Sequence, residues 1–219
     1  MGSLRDFDLA KLQERFRLRV LVETGTGEGH SLKYAASAAH WDAIHSIEVD
    51  PKMVEAIWRT IPPRSILWEG RSVDKLPEVL AQIAGKGPAL FWLDAHFPGS
   101  CSGAPLDAEP DLMVRLPLDD ELEVIVENRK PEELASDLFI IDDAWIYRDG
   151  IAGCGDFDRR REVADVGNDL FIHQWLSKTH LILQDPRANG YTIAIPKLAA
   201  RYVLEDCLGS ETSAKLRAF

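Results

Sequence analysis

Residues 19–30 read RVLVETGTGEGH, and the fold turns on how this stretch is read. Val20, Leu21 and Val22 make a short apolar, β-branched run of the kind that forms a buried strand. The run then breaks into glycines at 25, 27 and 29, and an alanine-rich helical pattern follows to about Ala39. Glycines at a strand-to-helix turn let the backbone approach a ligand closely, and a helix N-terminus favours polar or anionic groups. A dinucleotide fingerprint, G-x-G-x-x-G, needs glycine at position 30, where this chain has His30. The spacing is instead G-x-G-x-G with an acid, Glu23, ahead of it. A tight turn without a ligand is the plainer alternative.

Outward from this turn, strand-like and helix-like segments alternate with little between them. IHSIEVD (44–50) is a second strand, and Pro51 opens a helix at the favoured first-turn position. SILWEG (65–70) is a third, followed by a helix with apolar residues at helical spacing over 73–84. PALFWLDAH (88–96) supplies a fourth strand and DLFIIDDAW (137–145) a fifth. Between those two, LPLDDELEVIVEN (116–128) places Leu118, Leu122, Ile125 and Val126 on one helix face. Strands that are continuously apolar and each followed by a helix predict a parallel sheet covered on both faces. HLILQDPRANGYTIAIPK (180–197) differs: Asp-Pro and Asn-Gly break it into strand, turn, strand, an antiparallel hairpin that closes the sheet. The expected fold is therefore α/β, doubly wound and Rossmann-like, with a mostly parallel seven-stranded sheet. We expect one domain over 1–219, with an N-terminal helix at about 5–17, a core at about 19–197 and a helical tail at about 198–219. That tail is expected to pack on the sheet or serve a homodimer contact.

The 219 residues suffice for one well-buried core, and 46% hydrophobic with 28% charged residues is ordinary for a soluble globular protein. A formal net charge of −11 argues against a nucleic-acid partner or an anionic membrane surface, either of which would want a basic face. Arg159-Arg160-Arg161, the one short basic run, reads as a solvated helix start. Cys101, Cys154 and Cys207 are widely spaced, without zinc-site spacing, so reduced thiols and a cytoplasmic location are expected. No apolar run approaches transmembrane length.

Two segments, 97–111 and about 147–158, are long loops that follow the carboxyl ends of strands four and five, where open α/β sheets bind ligands. At the end of strand two, Glu48 is placed to accept both hydroxyls of an adenosine ribose, while Asp50 before Pro51 reads more simply as a helix cap.

In this order, VETGTGEGHS, HSIEVDP, EGRSVDKLPEVL, ALFWLDAHF and LFIIDDAW resemble the motif series of class I S-adenosylmethionine-dependent methyltransferases. The resemblance covers about Arg19 to Lys197. It implies that Glu23, Gly25, Thr26 and Gly27 line the methionine part of the cofactor and that Glu48 holds the ribose. Gly70-Arg71-Ser72 stands where such proteins often carry Gly-Asp-Ser beside the adenine; Arg71 departs from that pattern, and only Ser72 carries over.

Asp94 ends strand four, and Asp142-Asp143 end strand five beside it. Three carboxylates converging on one cleft repel one another unless a cation or protons relieve them. Mg2+ takes oxygen ligands in an octahedron and keeps positions open for substrate. The arrangement is similar to that of the metal-dependent small-molecule O-methyltransferases, which implies a metal on Asp94, Asp142 and Asp143. His96 can take a proton from a substrate hydroxyl near neutral pH, act as a fourth ligand or serve structure alone. The expectation is methyl transfer from S-adenosylmethionine to an oxygen of a small hydroxylated acceptor, with Asp94 and His96 as catalytic candidates. A metal-independent methyltransferase acting on nitrogen or a carboxylate stays open, as does a cofactor-binding module without turnover.

Overall fold

The apolar runs do become strands, and their order in space places the site. A computed structural model describes residues 3–97, 103, 105, 108–143, 146–147, 170–186 and 190–199. Its strands are β1 (Val20–Thr24), β2 (Ala43–Glu48), β3 (Ser65–Glu69), β4 (Ala89–Leu93), β5 (Leu138–Ile141), β6 (His180–Asp185) and β7 (Tyr191–Pro196). They form one seven-stranded sheet in the order β3-β2-β1-β4-β5-β7-β6. β1 to β5 are parallel, and the β6–β7 hairpin joins through an antiparallel pairing of β7 with β5. This is the doubly wound sheet with a closing hairpin that the pattern predicts.

The helices are α1 (Leu9–Phe16), α2 (His30–Ala38), α3 (Pro51–Trp58), α4 (Ser72–Ile83), α5 (Leu112–Arg115), α6 (Leu118–Asn128), α7 (Pro131–Leu134) and α8 (Leu170–Leu176). The helix expected at about 5–17 is split: a 3-10 turn at Leu4–Asp6 precedes α1, and the Asp8 side chain caps α1 by accepting the Lys11 N–H at 3.0 Å. An Asp at that position offers the first helical turn an acceptor it lacks, so the helix begins there. Asp50 caps α3 in the same way, accepting the Lys52 N–H at 2.9 Å, with Pro51 in the first turn. The tail from 200 onward, the loop at about 147–158 apart from Tyr147, the triple-arginine run and all three cysteines lie outside the described residues.

Two apolar layers flank the sheet because side chains alternate along each strand. Val20, Val22, Phe91 and Phe139 face one side, under Leu76, Val79, Leu80 and Ile83 of α4 and Leu118, Leu122 and Ile125 of α6. Leu21, Leu90, Trp92 and Ile140 face the other, with Phe7, Phe16, Leu32 and Ile57. β1, β2, β4 and β5 are buried along their whole length, as strands covered on both faces must be. Phe91 and Phe139 stack across β4 and β5 with centroids 4.8 Å apart, a pairing worth about 1 kcal/mol beyond the area it buries. Strand order reverses between β1 and β4, and at such a switch point the loops at the carboxyl ends diverge and leave a crevice.

Candidate cofactor cleft and active site

The crevice is a cleft of about 380 Å3. Gly25, Thr26, Gly27, Glu48, Ser72, Asp94 and His96 all line it, so most of the residues singled out from sequence meet in one place. Glu23, Asp142 and Asp143 are buried and are not among its lining residues.

The glycine turn is as close to its neighbours as its composition suggests. Gly25 has φ of 80°, and a Cβ there would overlap the Asp94 carbonyl group, with the carbonyl carbon at 2.8 Å. Its N–H and that of Thr26 donate to the Ile47 carbonyl at 2.9 and 3.2 Å, tying the turn to the end of β2. Glu48 closes that end. Its Oε2 accepts the Gly27 N–H at 2.7 Å and its Oε1 the Asp50 N–H at 2.8 Å. Burial pushes the Glu48 carboxyl up and these backbone donors pull it back, leaving it above its ordinary value. Each oxygen keeps a further lone pair, so a fixed carboxylate on the wall can still accept a ligand hydroxyl.

On the adjacent wall, no side chain caps the first turn of α4. The N-terminal N–H groups of a helix have no intrahelical acceptor. Ser72 and Val73, in that turn, both line the cleft and can serve an acceptor atom on a ligand.

Glu23 lies behind the glycine turn rather than on the cleft surface. Its Oε2 accepts from the Ser46 hydroxyl, and Ser46 Oγ is 2.5 Å from Thr26 Oγ1. Its Oε1 is buried without a hydrogen-bond partner among the described residues. Burial raises Glu23 to about 7, against the hydroxyls of Ser46 and Ser31 that favour its anion.

At the other side of the switch point, His96 joins the strand-end acids. Its Nδ1 is 3.4 Å from Asp94 Oδ1, and its Nε2 is 3.1 Å from Asp143 Oδ2. The Asp94 N–H donates to the Thr24 carbonyl at 3.1 Å, which fixes the Asp94 backbone against the end of β1. Asp143 adopts a left-handed conformation, φ 48°, which Asp tolerates better than most residues. Its N–H donates to Asp142 Oδ1 at 2.8 Å, and Asp142 Oδ2 is buried with no hydrogen-bond partner among the described residues. Burial and then the neighbouring carboxylates raise Asp94 well above its ordinary range, with His96 opposing; burial and Asp143 raise Asp142 to about 6. For His96, burial works downward, but the hydrogen bond to Asp143 and the charge of Asp94 outweigh it, so the ring holds its proton more tightly than a free imidazole.

Among the described residues, no group of three or more His, Cys, Asp and Glu stands arranged to hold a metal ion. His96 bridges two of the three expected carboxylates instead. The donor chemistry still suits a hard cation: the acids are oxygen donors, and one buried oxygen, Asp142 Oδ2, has no hydrogen-bond partner among the described residues.

One residue near the site escapes a reading by motif. Glu121 is 1% exposed, and its Oε2 accepts the Thr24 hydroxyl at 3.3 Å while Oε1 has no hydrogen-bond partner among the described residues. Burial raises it to about 7, opposed by the hydroxyls of Ser72 and Thr24. The signal was present in LPLDDELEVI: position 121 lies one helical turn from Leu118 and from Ile125, so it is an acid on an apolar face. Tyr147 is buried as well, and burial followed by the charge of Glu121 pushes its phenol up. Trp145 lies outside the described residues.

Neither a scan of protein-family models nor a search of curated proteins finds a match. Solved structures do match. A caffeoyl-CoA O-methyltransferase candidate from Staphylococcus aureus is 16% identical with a TM-score of 0.59, over 90% of this chain and 85% of that one. The Podospora anserina methyltransferase PaMTH1, solved with S-adenosylhomocysteine, is 18% identical with a TM-score of 0.57, over 90% and 80%. The O-methyltransferase TomG from Streptomyces achromogenes, involved in tomaymycin synthesis and solved with S-adenosylmethionine, is 19% identical with a TM-score of 0.55, over 90% and 81%. The chain thus has the Rossmann-like methyltransferase fold, and its structural neighbours include class I S-adenosylmethionine-dependent O-methyltransferases.

Proposed function

We propose that the protein binds S-adenosylmethionine in the cleft and transfers its methyl group to an oxygen of a small hydroxylated molecule. The observation that carries this reading is the cleft itself. A close glycine turn, a fixed Glu48 carboxylate and the open first turn of α4 surround one side, and Asp94 with His96 stands on the other. S-adenosylmethionine presents ribose hydroxyls, an adenine ring with acceptor nitrogens and an already activated methyl group. Glu48 would accept from the ribose, the α4 backbone would donate to the adenine, and Gly25 and Gly27 would let the methionine part lie close to the chain. With an activated methyl, the protein needs only to hold the acceptor oxygen in line with it, about 3–3.5 Å away. His96, held by carboxylates at both ring nitrogens, would take up the acceptor proton from its neutral form.

Asp94, Asp142 and Asp143 would hold a divalent cation such as Mg2+, whose charge favours the ionised form of a nearby hydroxyl. Cation binding would require His96 to release its hold on Asp94 and Asp143. That same bridge supports a second reading, a metal-independent methyltransferase in which His96 supplies the positive charge these acids need.

Titration with S-adenosylmethionine, with and without Mg2+, followed by turnover on a panel of hydroxylated acceptors, tests the proposal. Saturable binding and methylation of at least one acceptor oxygen are expected; absence of cofactor binding would overturn the reading. Turnover that is equal in chelator and in Mg2+ decides for the metal-independent form. Glu48→Ala should weaken cofactor binding by about tenfold, the equivalent of one good hydrogen-bonded contact. An unchanged Kd removes Glu48 from the ribose site.

A further inference from the structure

Glu121 is a buried ionisable group that the proposed chemistry does not use. It sits in the first turn of α6, on the face that packs against α4. Its Oε2 accepts from the hydroxyl of Thr24, the last residue of β1, whose carbonyl in turn receives the Asp94 N–H. The Ser72 hydroxyl is also close enough to favour its anion, and Ser72 begins α4 on the cleft wall. One carboxyl therefore stands behind both sides of the cleft, the strand end that carries Asp94 and the helix N-terminus that faces the opposite end. A carboxyl is a costly side chain to bury on an apolar helix face, where leucine would pack at no electrostatic cost. Its place is explained if it organises polar groups that leucine would leave unpartnered.

We propose that Glu121 is a positioning residue for the cofactor, fastening Thr24 to α6, the helix that packs on α4, so that the end of β1 and the first turn of α4 keep the spacing that S-adenosylmethionine requires. This rests on the reading of the cleft as an S-adenosylmethionine site. Glu121 does not line the cleft and no contact with the cofactor is needed. Its one accepting oxygen, Oε2, rather than its charge, does the positioning, so an amide of the same shape serves nearly as well. The ionisable groups whose charge reaches Glu121 from neighbouring elements are His96, after β4, and Tyr147, after β5; Asp120 adjoins it on its own helix.

The test measures S-adenosylmethionine and S-adenosylhomocysteine affinity by calorimetry, with Tm in parallel, for the wild type, Glu121→Gln, Glu121→Leu and Thr24→Val. Glu121→Leu should lose at least about tenfold in affinity for both ligands, as the loss of a buried hydrogen-bonding group allows. Glu121→Gln should return affinity to within about threefold of wild type. A residue serving stability alone would shift Tm and leave both affinities in place, and that result overturns the proposal. So does a folded Glu121→Gln as deficient as the leucine variant. Should Glu121→Leu not fold, Thr24→Val decides: several-fold weaker binding at near-native Tm is expected, and unchanged binding overturns the inference. A wild type that binds neither ligand overturns the methyltransferase reading itself, which separates the two failures.

Discussion

Strand β5 has a buried aspartate at each end, and the two are treated in opposite ways. Asp137, just before Leu138, is fully satisfied. Arg129 donates to it from Nε at 2.9 Å and from Nη2 at 2.8 Å, and the Ala89 N–H adds a third bond at 2.7 Å. Arg129 is itself shared with Glu133 at 3.1 Å. Asp142, just after Ile141, accepts one backbone N–H and keeps its other oxygen buried without a hydrogen-bond partner among the described residues. Both are raised to about 6, chiefly by burial. What differs is the partner: a paired arginine against more carboxylates and one histidine. Among the described residues, acids with one buried oxygen that lacks a hydrogen-bond partner gather toward the carboxyl end of the sheet, at Glu23, Glu121 and Asp142. The amino end of β5 is built for stability, while its carboxyl end keeps a buried acceptor oxygen without a hydrogen-bond partner among the described residues.

The largest effect expected from breaking this contrast is at the amino end. Arg129→Met leaves Asp137 buried without its cation, a loss of about 3–5 kcal/mol, or roughly 10 °C in Tm for a chain of this size. Cofactor affinity, measured where the variant remains folded, should not change. Asp142→Asn is the mirror experiment: turnover should fall by about 100-fold, near 2.7 kcal/mol, while Tm stays level or rises. Equal losses of Tm in the two variants would show that the ends of β5 do not differ in the way described.

Smaller still is the pH dependence of stability. The folded state holds a proton on Glu23 up to about 7, whereas the unfolded chain releases it near 4.5. Stability that this group contributes below about 4.5 is therefore lost as pH rises through 7. His45, lowered to about 4 by burial, works in the opposite direction below its ordinary value of 6.5, so the comparison must be between variants. Glu23→Gln should gain Tm relative to wild type between pH 5 and about 7.5, by several degrees. Parallel wild-type and variant curves would place the Glu23 proton elsewhere.

Much of the fold was legible in the sequence. Continuous apolar runs at β1, β4 and β5, glycines after Thr24 and the Asp-Pro and Asn-Gly breaks before Tyr191 specify parallel strands and a closing hairpin through local preference and burial. Acids at strand ends also carry their meaning in sequence, because in this topology every parallel strand ends at the same edge. Thus Gly25, Glu48, Ser72 and Asp94 could be placed near one another from position alone, and they line one cleft.

Only the tertiary structure decided what those groups face. The bridge of His96 between Asp94 and Asp143 depends on the path of the three residues past β4 and on a left-handed residue past β5, neither of which periodicity encodes. Glu121 could be noticed as an acid on an apolar face, but its contact with Thr24 spans 97 positions of sequence. Sequence by itself set the strands, their order of appearance and the chemistry at their ends, since these follow from local propensity and apolar pattern. Packing decided which acids found a cation, which found only a hydroxyl and which kept an oxygen unpartnered, because solvation and pairing depend on everything that surrounds a group.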